Sequence, residues 1–420
     1  MPDLPQSDHN QSRKCAVRPR PSGRGYKTRF TNQKHFLEKT LEECRWLYNT
    51  FLEQRQAAYT EVGLSPCRYD QINTLPVLKT ARPSLADVHS QVLQNVAVRV
   101  DLAFQAFFRR VKNGEKPGYP RFRGPDRYDS FTFPQSGFSF KAQGLSLSGI
   151  GTVRLVLHRP IDGKIKTCTI LKTGSGKWFV SLSCDKVPAP SVLPGRKEPV
   201  GLDMGLHSFL KTSEGVPVEN PRFFKQSAKR LAQGQRKLQK QAAGTKEREK
   251  AKRALARRHE KVVHQRTHFV YALVNPLINE FETILVEDLN VKSMVSRKRK
   301  TFKSLRRSIH DAAWSGFLNV LSGKAAEAGR TVIRVNPAYT SQTCFRCRHR
   351  QHTPLKVREF VCDRCGFVLD RDWNAALNIK FRGMAGRKDR LAAKRTILRE
   401  LLKSPGRTKA LGLGCLERVS

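Results

Sequence analysis

Acidic residues are scarce in this chain: 35 Asp and Glu stand against 79 Lys and Arg, a formal net charge of +44 at pH 7. That excess goes beyond what solubility asks for and excludes a basic partner. A polyanion is the simplest counterpart, and nucleic acid is the commonest one. Long apolar runs are also missing. None reaches the roughly 18 residues of a membrane-spanning helix, which leaves an anionic membrane surface as the weaker alternative. The amino-terminal stretch has no signal-peptide pattern, so a reducing cytoplasmic setting is expected, with free thiols rather than disulfides. Core material is not lacking. At 39% apolar residues the chain can build true cores, and its length suggests about two or three domains.

Four of the ten cysteines form one pattern: Cys344-x-x-Cys347, a spacer of fourteen residues, then Cys362-x-x-Cys365-Gly366. Two thiolate pairs, each on a tight turn, complete the four-sulfur tetrahedron that structural zinc prefers. Gly366 supplies the permissive backbone after the second pair. Chance spacing or disulfide pairing is the competing reading, and a reducing compartment weighs against it. His349 and His352 lie in the loop between the pairs and are expected to face solvent or nucleic acid. Cys15, Cys44, Cys67, Cys168, Cys184 and Cys415 are scattered and read as ordinary thiols.

Along the chain, residues 1–24 are polar, Pro- and Arg-rich and without periodicity, and are expected to stay disordered until nucleic acid binds. Residues 26–30 alternate like a short strand. Apolar spacings of three and four predict a helix over 33–62 and a second from Ser84, a good N-cap, through Phe107, stopping before Asn113-Gly114. After Gly118 the period becomes two. Short strands are expected at 130–133, 137–141, 145–147, 152–157, 164–171 and 177–183, a density that suggests a small barrel. Arg121, Phe122, Arg123, Arg127, Tyr128, Phe131, Phe133, Phe138 and Phe140 mix basic and aromatic side chains, as base stacking and phosphate pairing require. The aromatics could equally be the barrel's own core.

A Pro-rich stretch at 187–197 reads as a linker. Beyond it, 198–210 is a buried-strand pattern interrupted by Asp203, and a buried carboxylate needs something to hold it. The helical segment 225–268 carries fifteen basic and three acidic residues. It can be a solvated hairpin, but such a one-signed surface favours nucleic-acid contact, through residues such as Lys229, Arg230, Arg236 and Lys237. A strand over 282–289 ends in Glu287 and Asp288. Arg297, Lys298, Arg299 and Lys300 read as a mobile loop on nucleic acid, with nuclear targeting the weaker reading. A helix over 311–328 stops at Gly329, and a strand at 331–335 leads to the cysteines.

Asp203, Glu287 and Asp372 thus each sit at or near the end of an apolar element. Alone, Asp372 reads as an N-cap or first-turn acid. Together, in a chain this basic, the three call for divalent cations. Two magnesium ions on carboxylates can activate a water and stabilise the leaving oxygen of a phosphodiester. The order hairpin, helix, strand, helix, strand, final helix matches an RNase H-like sheet.

Gly201-Leu-Asp203-Met-Gly-Leu, Val286-Glu287-Asp-Leu-Asn, Thr340-Ser-Gln-Thr-Cys-x-x-Cys, Cys362-x-x-Cys-Gly and Asp370-Arg-Asp372-x-Asn-Ala-Ala-x-Asn-Ile resemble the RuvC motifs and zinc ribbon of the TnpB family. Insertion sequences encode this family, which is often labelled "transposase" and is related to type V CRISPR effectors. Upstream, Cys44-Arg-Trp-Leu-Tyr-Asn, Ala103-Phe-Gln-Ala-Phe-Phe-Arg-Arg and Lys116-Pro-Gly-Tyr-Pro-Arg-Phe extend the similarity to about residues 25–380.

The resemblance implies an α+β multidomain protein. Residues 25–190 would be a wedge β-barrel with an inserted helical recognition region over about 33–112. Residues 191–382 would be a RuvC-like nuclease domain with a zinc ribbon inserted at 338–370, and 383–420 a flexible tail. The implied activity is RNA-guided cleavage of double-stranded DNA beside a short target-adjacent motif, with the guide made from the transposon end. Asp203, Glu287 and Asp372 would hold two magnesium ions, and Cys344, Cys347, Cys362 and Cys365 one zinc. Such a protein is expected in the prokaryotic cytoplasm with the nucleoid. The oligomeric state stays open, with a monomer favoured. Departures from the family are Arg348, where Gly is common, the amino-terminal extension, and the tail. A DNA strand-transfer transposase and a non-catalytic, zinc-stabilised nucleic-acid-binding regulator are the competing classes.

Overall fold

The computed structural model describes residues 13–17, 31–125, 127–141, 144–157, 161–187, 194–296, 302–354, 357–384 and 395. The chain divides into two units, Met1–Pro188 and Ala189–Ser420. The strand expected at 26–30, the basic loop of Arg297, Lys298, Arg299 and Lys300, and the tail helix suggested by Leu391 to Leu402 lie outside the described residues.

Regular structure begins earlier than composition suggests. Within the stretch 1–24, Arg13–Val17 form a strand, β1, antiparallel to Trp178–Asp185, with Cys15 opposite Leu182. That partner would otherwise show a row of unpaired N–H and C=O groups, which the pairing satisfies.

In the first unit, α1 (Thr31–Val62) buries Leu37, Leu41, Cys44, Leu47, Tyr48 and Phe51 of the stripe its spacing predicts, whereas Phe36 of the same pattern stays exposed. Two short helices that the sequence pattern did not announce follow, α2 (Arg68–Asn73) and α3 (Leu75–Ala81). The second long helix does not start at Ser84. Pro83–Asp87 is a 3-10 turn, Val88 is extended at φ −95° and ψ 133°, and α4 runs over Ser90–Lys112. Pro83 disfavours helical geometry at Arg82, where α3 ends, and the extended backbone at Val88, which interrupts the helix, still delivers its side chain to the core. Val92, Leu93, Val96, Val100 and Phe104 form the buried face of α4.

The strands of this unit are β2 (Ser130–Phe133), β3 (Phe138–Lys141), β4 (Gly144–Leu147), β5 (Gly151–Val153), β6 (Lys164–Lys172) and β7 (Trp178–Asp185). Among the described residues they make no closed barrel. They form two open sheets, β1-β7-β6-β2 and β3-β4-β5. The three short strands are joined by tight turns and pair only with their sequence neighbours. The long β6-β7 hairpin carries the other sheet.

The second unit is built on the sheet β10-β9-β8-β11-β12. Its first strands are β8 (Val200–Met204), β9 (Ser208–Thr212) and β10 (Pro217–Glu219), an antiparallel meander. The helical hairpin α5 (Phe223–Gln239) and α6 (Lys246–Glu280) follows, closed by Leu231, Leu255 and Val262 and capped where Thr245 accepts from the Arg248 N–H at 3.2 Å. Next come β11 (Thr283–Glu287), the turn of helix α7 (Val291–Met294), α8 (Lys303–Ala312), α9 (Trp314–Glu327) and β12 (Thr331–Val335). β8, β11 and β12 are parallel.

This is the order expected of an RNase H-like sheet, with one difference. The helix expected over 311–328 is two helices, because Ala313 is left-handed at φ 55° and ψ 37° and turns the chain between them. Asp311 therefore closes α8 instead of opening α9. The last elements are the small hairpin β13 (Glu359–Val361) and β14 (Val368–Asp370), then α10 (Arg371–Gly383). No helix among the described residues is long and apolar enough to cross a membrane.

Candidate functional site

Asp203 lies on β8 and Glu287 ends β11. In the parallel ladder Val286 pairs with Leu202, so the two acids occupy the next position on neighbouring strands. Asp372 arrives from α10, and glycine makes that approach possible. A Cβ on Gly201 would sit 2.8 Å from the Lys380 nitrogen and overlap the Ala376 carbonyl oxygen, so strand and helix meet backbone to backbone. A Cβ on Gly205 would lie 4.0 Å from Asp372 Oδ2. Trp373 pins the helix start by donating from its ring N–H to the Ser213 carbonyl at 3.1 Å.

Asp372 is a first-turn acid of α10, as its place in the sequence suggests, but it is not the cap. The N-cap is Asp370, whose carboxylate accepts from the Trp373 N–H at 2.9 Å and pairs with Lys211 at 2.9 Å. Arg358 stands 3.9 Å from Asp372 Oδ1. Glu287 is only 7% exposed and accepts from the Thr340 hydroxyl at 2.7 Å.

Burial pushes the Asp203 carboxyl well above the usual range, and the charges of Glu287, Asp372 and Asp370 push it further, against a smaller pull from Arg371. Burial raises Glu287 too, opposed by the Thr340 hydroxyl and Arg382. Asp203, crowded by the neighbouring carboxylates, lacks a positive charge beside it, and a polyvalent cation would supply one. Their oxygen-only chemistry suits magnesium.

The four cysteines meet as the spacing predicts. Their sulfurs all lie within 4.8 Å of one another, the one such group of possible ligands among the described residues. Cys344 Sγ is 3.8 Å from Cys365 Sγ, and Cys347 Sγ is 3.6 Å from Cys362 Sγ. The edge of a tetrahedron with zinc–sulfur bonds of about 2.3 Å is about 3.8 Å, whereas a disulfide would bring two sulfurs to about 2.0 Å. Burial pushes the Cys344 thiol up to about 12. For Cys347 burial also acts upward, but the His349 N–H and the neighbouring sulfurs outweigh it and bring the thiol down to about 7. His349 faces Asp363 at 3.1 Å, outside the four-sulfur group. Arg348 takes the left-handed backbone (φ 67°) that its Gly-like position demands. Its guanidinium offsets that strain by donating to Asn378 Oδ1 at 2.6 Å and lying 4.6 Å over the Phe381 ring.

The expected nucleic-acid residues divide. Arg121, Arg123 and Arg127 are exposed, as are Lys229, Arg230, Arg236 and Lys237 on α5. Tyr128 is a correction. It is 8% exposed, packed 5.9 Å from Tyr48 with Arg99 at 5.6 Å, so its ring belongs to the core and has no open face for a base. Phe131 and Phe133 are core as well, while Phe122 is half exposed.

Sequence reasoning missed three residues. Arg358 carries no local signal. Thr340 stood inside a quoted motif without a role. Asp311 could have been found, because an acid among the bases of 303–310 is conspicuous. Its carboxylate accepts from the Phe224 and Lys225 N–H groups at 2.9 and 3.0 Å and pairs with Arg266 at 2.8 Å. A cavity of about 770 Å³ lies here, lined by His207, Arg222, Phe224, Lys225, Arg307 and Arg358 among others.

Three family profiles match the chain: "Helix-turn-helix domain" over 23–63, "Probable transposase" of the OrfB/IS605 type over 182–298, and "Cas12f1-like, TNB domain" over 314–379. A protein of Streptomyces pristinaespiralis, named provisionally as an RNA-guided DNA endonuclease, is 30% identical over 380 residues, covering 86% of this chain and 90% of its own. The similarly named InsQ of Escherichia coli K12 is 29% identical, covering 81% and 87%. Among solved structures, the Cas12f1 protein in a complex with sgRNA and target DNA matches with a TM-score of 0.51 at 15% identity, over 84% of this chain and 83% of that one, a likeness of fold. By identity, by coverage and by the profiles that match it, the chain belongs to the TnpB family of IS605-type elements.

Proposed function

We propose that this chain is an RNA-guided DNA endonuclease that cleaves double-stranded DNA by hydrolysis at one RuvC-type site. The observation that carries the reading is the convergence of Asp203, Glu287 and Asp372 at one end of an RNase H-like sheet in a chain of charge +44. The names borne by its relatives support the same activity. The guide would come from the end of the encoding element, and base pairing, rather than side chains, would read most of the target.

The residues divide the work. Asp203 and Glu287, fixed on adjacent strands, and Asp372, fixed on α10, would hold two magnesium ions, which when bound supply a nucleophilic water and stabilise the leaving oxygen. Arg358, exposed beside Asp372, is placed to pair with a phosphate of the strand being cut. Arg222, Lys225 and Arg307 around the adjoining cavity give that strand a cationic path. Cys344, Cys347, Cys362 and Cys365 would hold one structural zinc. The exposed bases of α5 would face the guide or its target.

The test is to express the protein with its flanking locus, sequence the RNA that copurifies, and offer a matching DNA with magnesium. One discrete RNA ending in sequence from beyond the element, and cuts lost in Asp203→Ala while that RNA stays bound, are expected. Heterogeneous RNA released by salt would refute the guided reading. End joining without RNA would favour a strand-transfer transposase, and binding without any cut a regulator.

A further inference from the structure

Thr340 lies four positions before Cys344 and is 4% exposed. Its hydroxyl proton can go to Glu287 Oε1 at 2.7 Å or to the Pro337 carbonyl at 3.1 Å. The shorter bond, to an ionisable carboxylate, is the stronger. Thr340 therefore fixes one oxygen of a side chain at the centre of the acidic site.

Its own position is fixed from α10. Asn378 Nδ2 donates to the Thr340 carbonyl at 2.9 Å and the Thr343 carbonyl at 2.7 Å. Asn374 Nδ2 donates to the Thr343 carbonyl at 2.9 Å, and its Oδ1 accepts from the Phe345 N–H at 2.9 Å. Both asparagines are fully buried. Residues 340–345 are thus fastened to the helix that carries Asp372, and Cys344 of the four-sulfur cluster lies inside the fastened stretch.

We propose that Thr340 is a positioning residue for Glu287 and that the ion held by the four cysteines sets its position, so that zinc occupancy governs how tightly the carboxylate site binds divalent cations. This rests on Glu287 being a cation ligand. A lost zinc frees Cys344, slackens 340–345 against Asn374 and Asn378, and releases the hydroxyl from Glu287. The two metal centres then act in series, and the buried asparagines are the connection between them.

The test uses the full chain with its bound RNA, with manganese(II) as the probe. Binding is read by electron paramagnetic resonance, and the Asp203→Asn protein gives the background from RNA. Thr340→Val is expected to keep one zinc per chain and lose about tenfold or more in manganese affinity, the usual effect of removing a group that orients a metal ligand. Thr340→Ser keeps the hydroxyl and is expected within about twofold of wild type. Wild type stripped of zinc with a thiol-reactive mercurial and dialysed is expected to show the Thr340→Val loss.

Wild-type affinity in Thr340→Val or in the stripped protein overturns the proposal, as does a tenfold loss in Thr340→Ser. The stripped and serine arms decide the matter even where the valine protein does not fold. Manganese binding that depends on Thr340 in a protein that cuts no DNA would leave this inference standing and remove the proposed function.

Discussion

Gly201 of β8 and Ala376 of α10 stand backbone against backbone: the space a Cβ would take on Gly201 is filled by the Ala376 carbonyl oxygen, with the Lys380 nitrogen 2.8 Å away. This close approach holds the strand bearing Asp203 against the helix bearing Asp372.

Gly201→Ala should force the two elements apart. Overpacking against backbone costs about 1–3 kcal/mol, and the displacement falls on the acidic site. A lowered urea midpoint and lost cleavage, with RNA binding retained, are the expected results. A variant that cuts like wild type would show that the close approach does not set the site.

Asp203 gives a pH dependence whose sign can be worked out. In the unfolded chain it ionises near pH 4. In the folded chain burial and the charges of Glu287, Asp372 and Asp370 hold its proton to a much higher pH. Between those values the folded state binds more protons, so without magnesium stability falls as pH rises from about 4 through the raised value. Asp203→Asn should flatten that fall and melt above wild type at alkaline pH while abolishing cleavage. Parallel melting curves for the two proteins across the range would contradict this.

Asp311 ties three elements together: it terminates α8, caps the first turn of α5 and pairs with Arg266 of α6. Arg266 keeps 27% of its side chain exposed, and hydrogen bonds to a charged group contribute about 1.5–3 kcal/mol, so Asp311→Ala should lower stability by about 2–3 kcal/mol in a denaturant titration. A loss under about 1 kcal/mol would mean that the carboxylate is no more than a surface cap.

The exposed bases of α5 should register in salt dependence. Replacing Lys229, Arg230, Arg236 and Lys237 by Gln should flatten the slope of log affinity for RNA against log salt by about 0.7 for each phosphate no longer neutralised, and weaken binding alike for unrelated sequences. An unchanged slope would place these side chains in solvent.

The motifs were legible because they are local. Cys344, Cys347, Cys362 and Cys365 converge as their spacing says, since a short turn leaves each pair little choice. The stripes of α1, α4 and α9 follow from helical period, and the acids were conspicuous because acid is rare here. The family emerged from the motifs taken together.

Decisions that depend on distant neighbours were not legible. Tyr128 and Arg127 are adjacent in sequence, yet only the packing of Tyr48 and Arg99 decides that the ring is buried while the guanidinium is exposed. Asp372 can be read as the helix cap from sequence, until the Trp373 N–H shows that Asp370 does the capping. The barrel expected from strand density depends on long-range closure, which the described strands do not make. Nothing local tells Thr340 that Glu287, 53 residues away, will accept its proton.

The sequence by itself thus determined the chemistry available, four sulfurs and three carboxylates in a polycationic chain, because residue types and short-range periods are written along one dimension. Tertiary structure alone decided which groups face one another. Burial and electrostatic coupling act between residues that meet only once the sheet has its register and α10 has closed on Gly201.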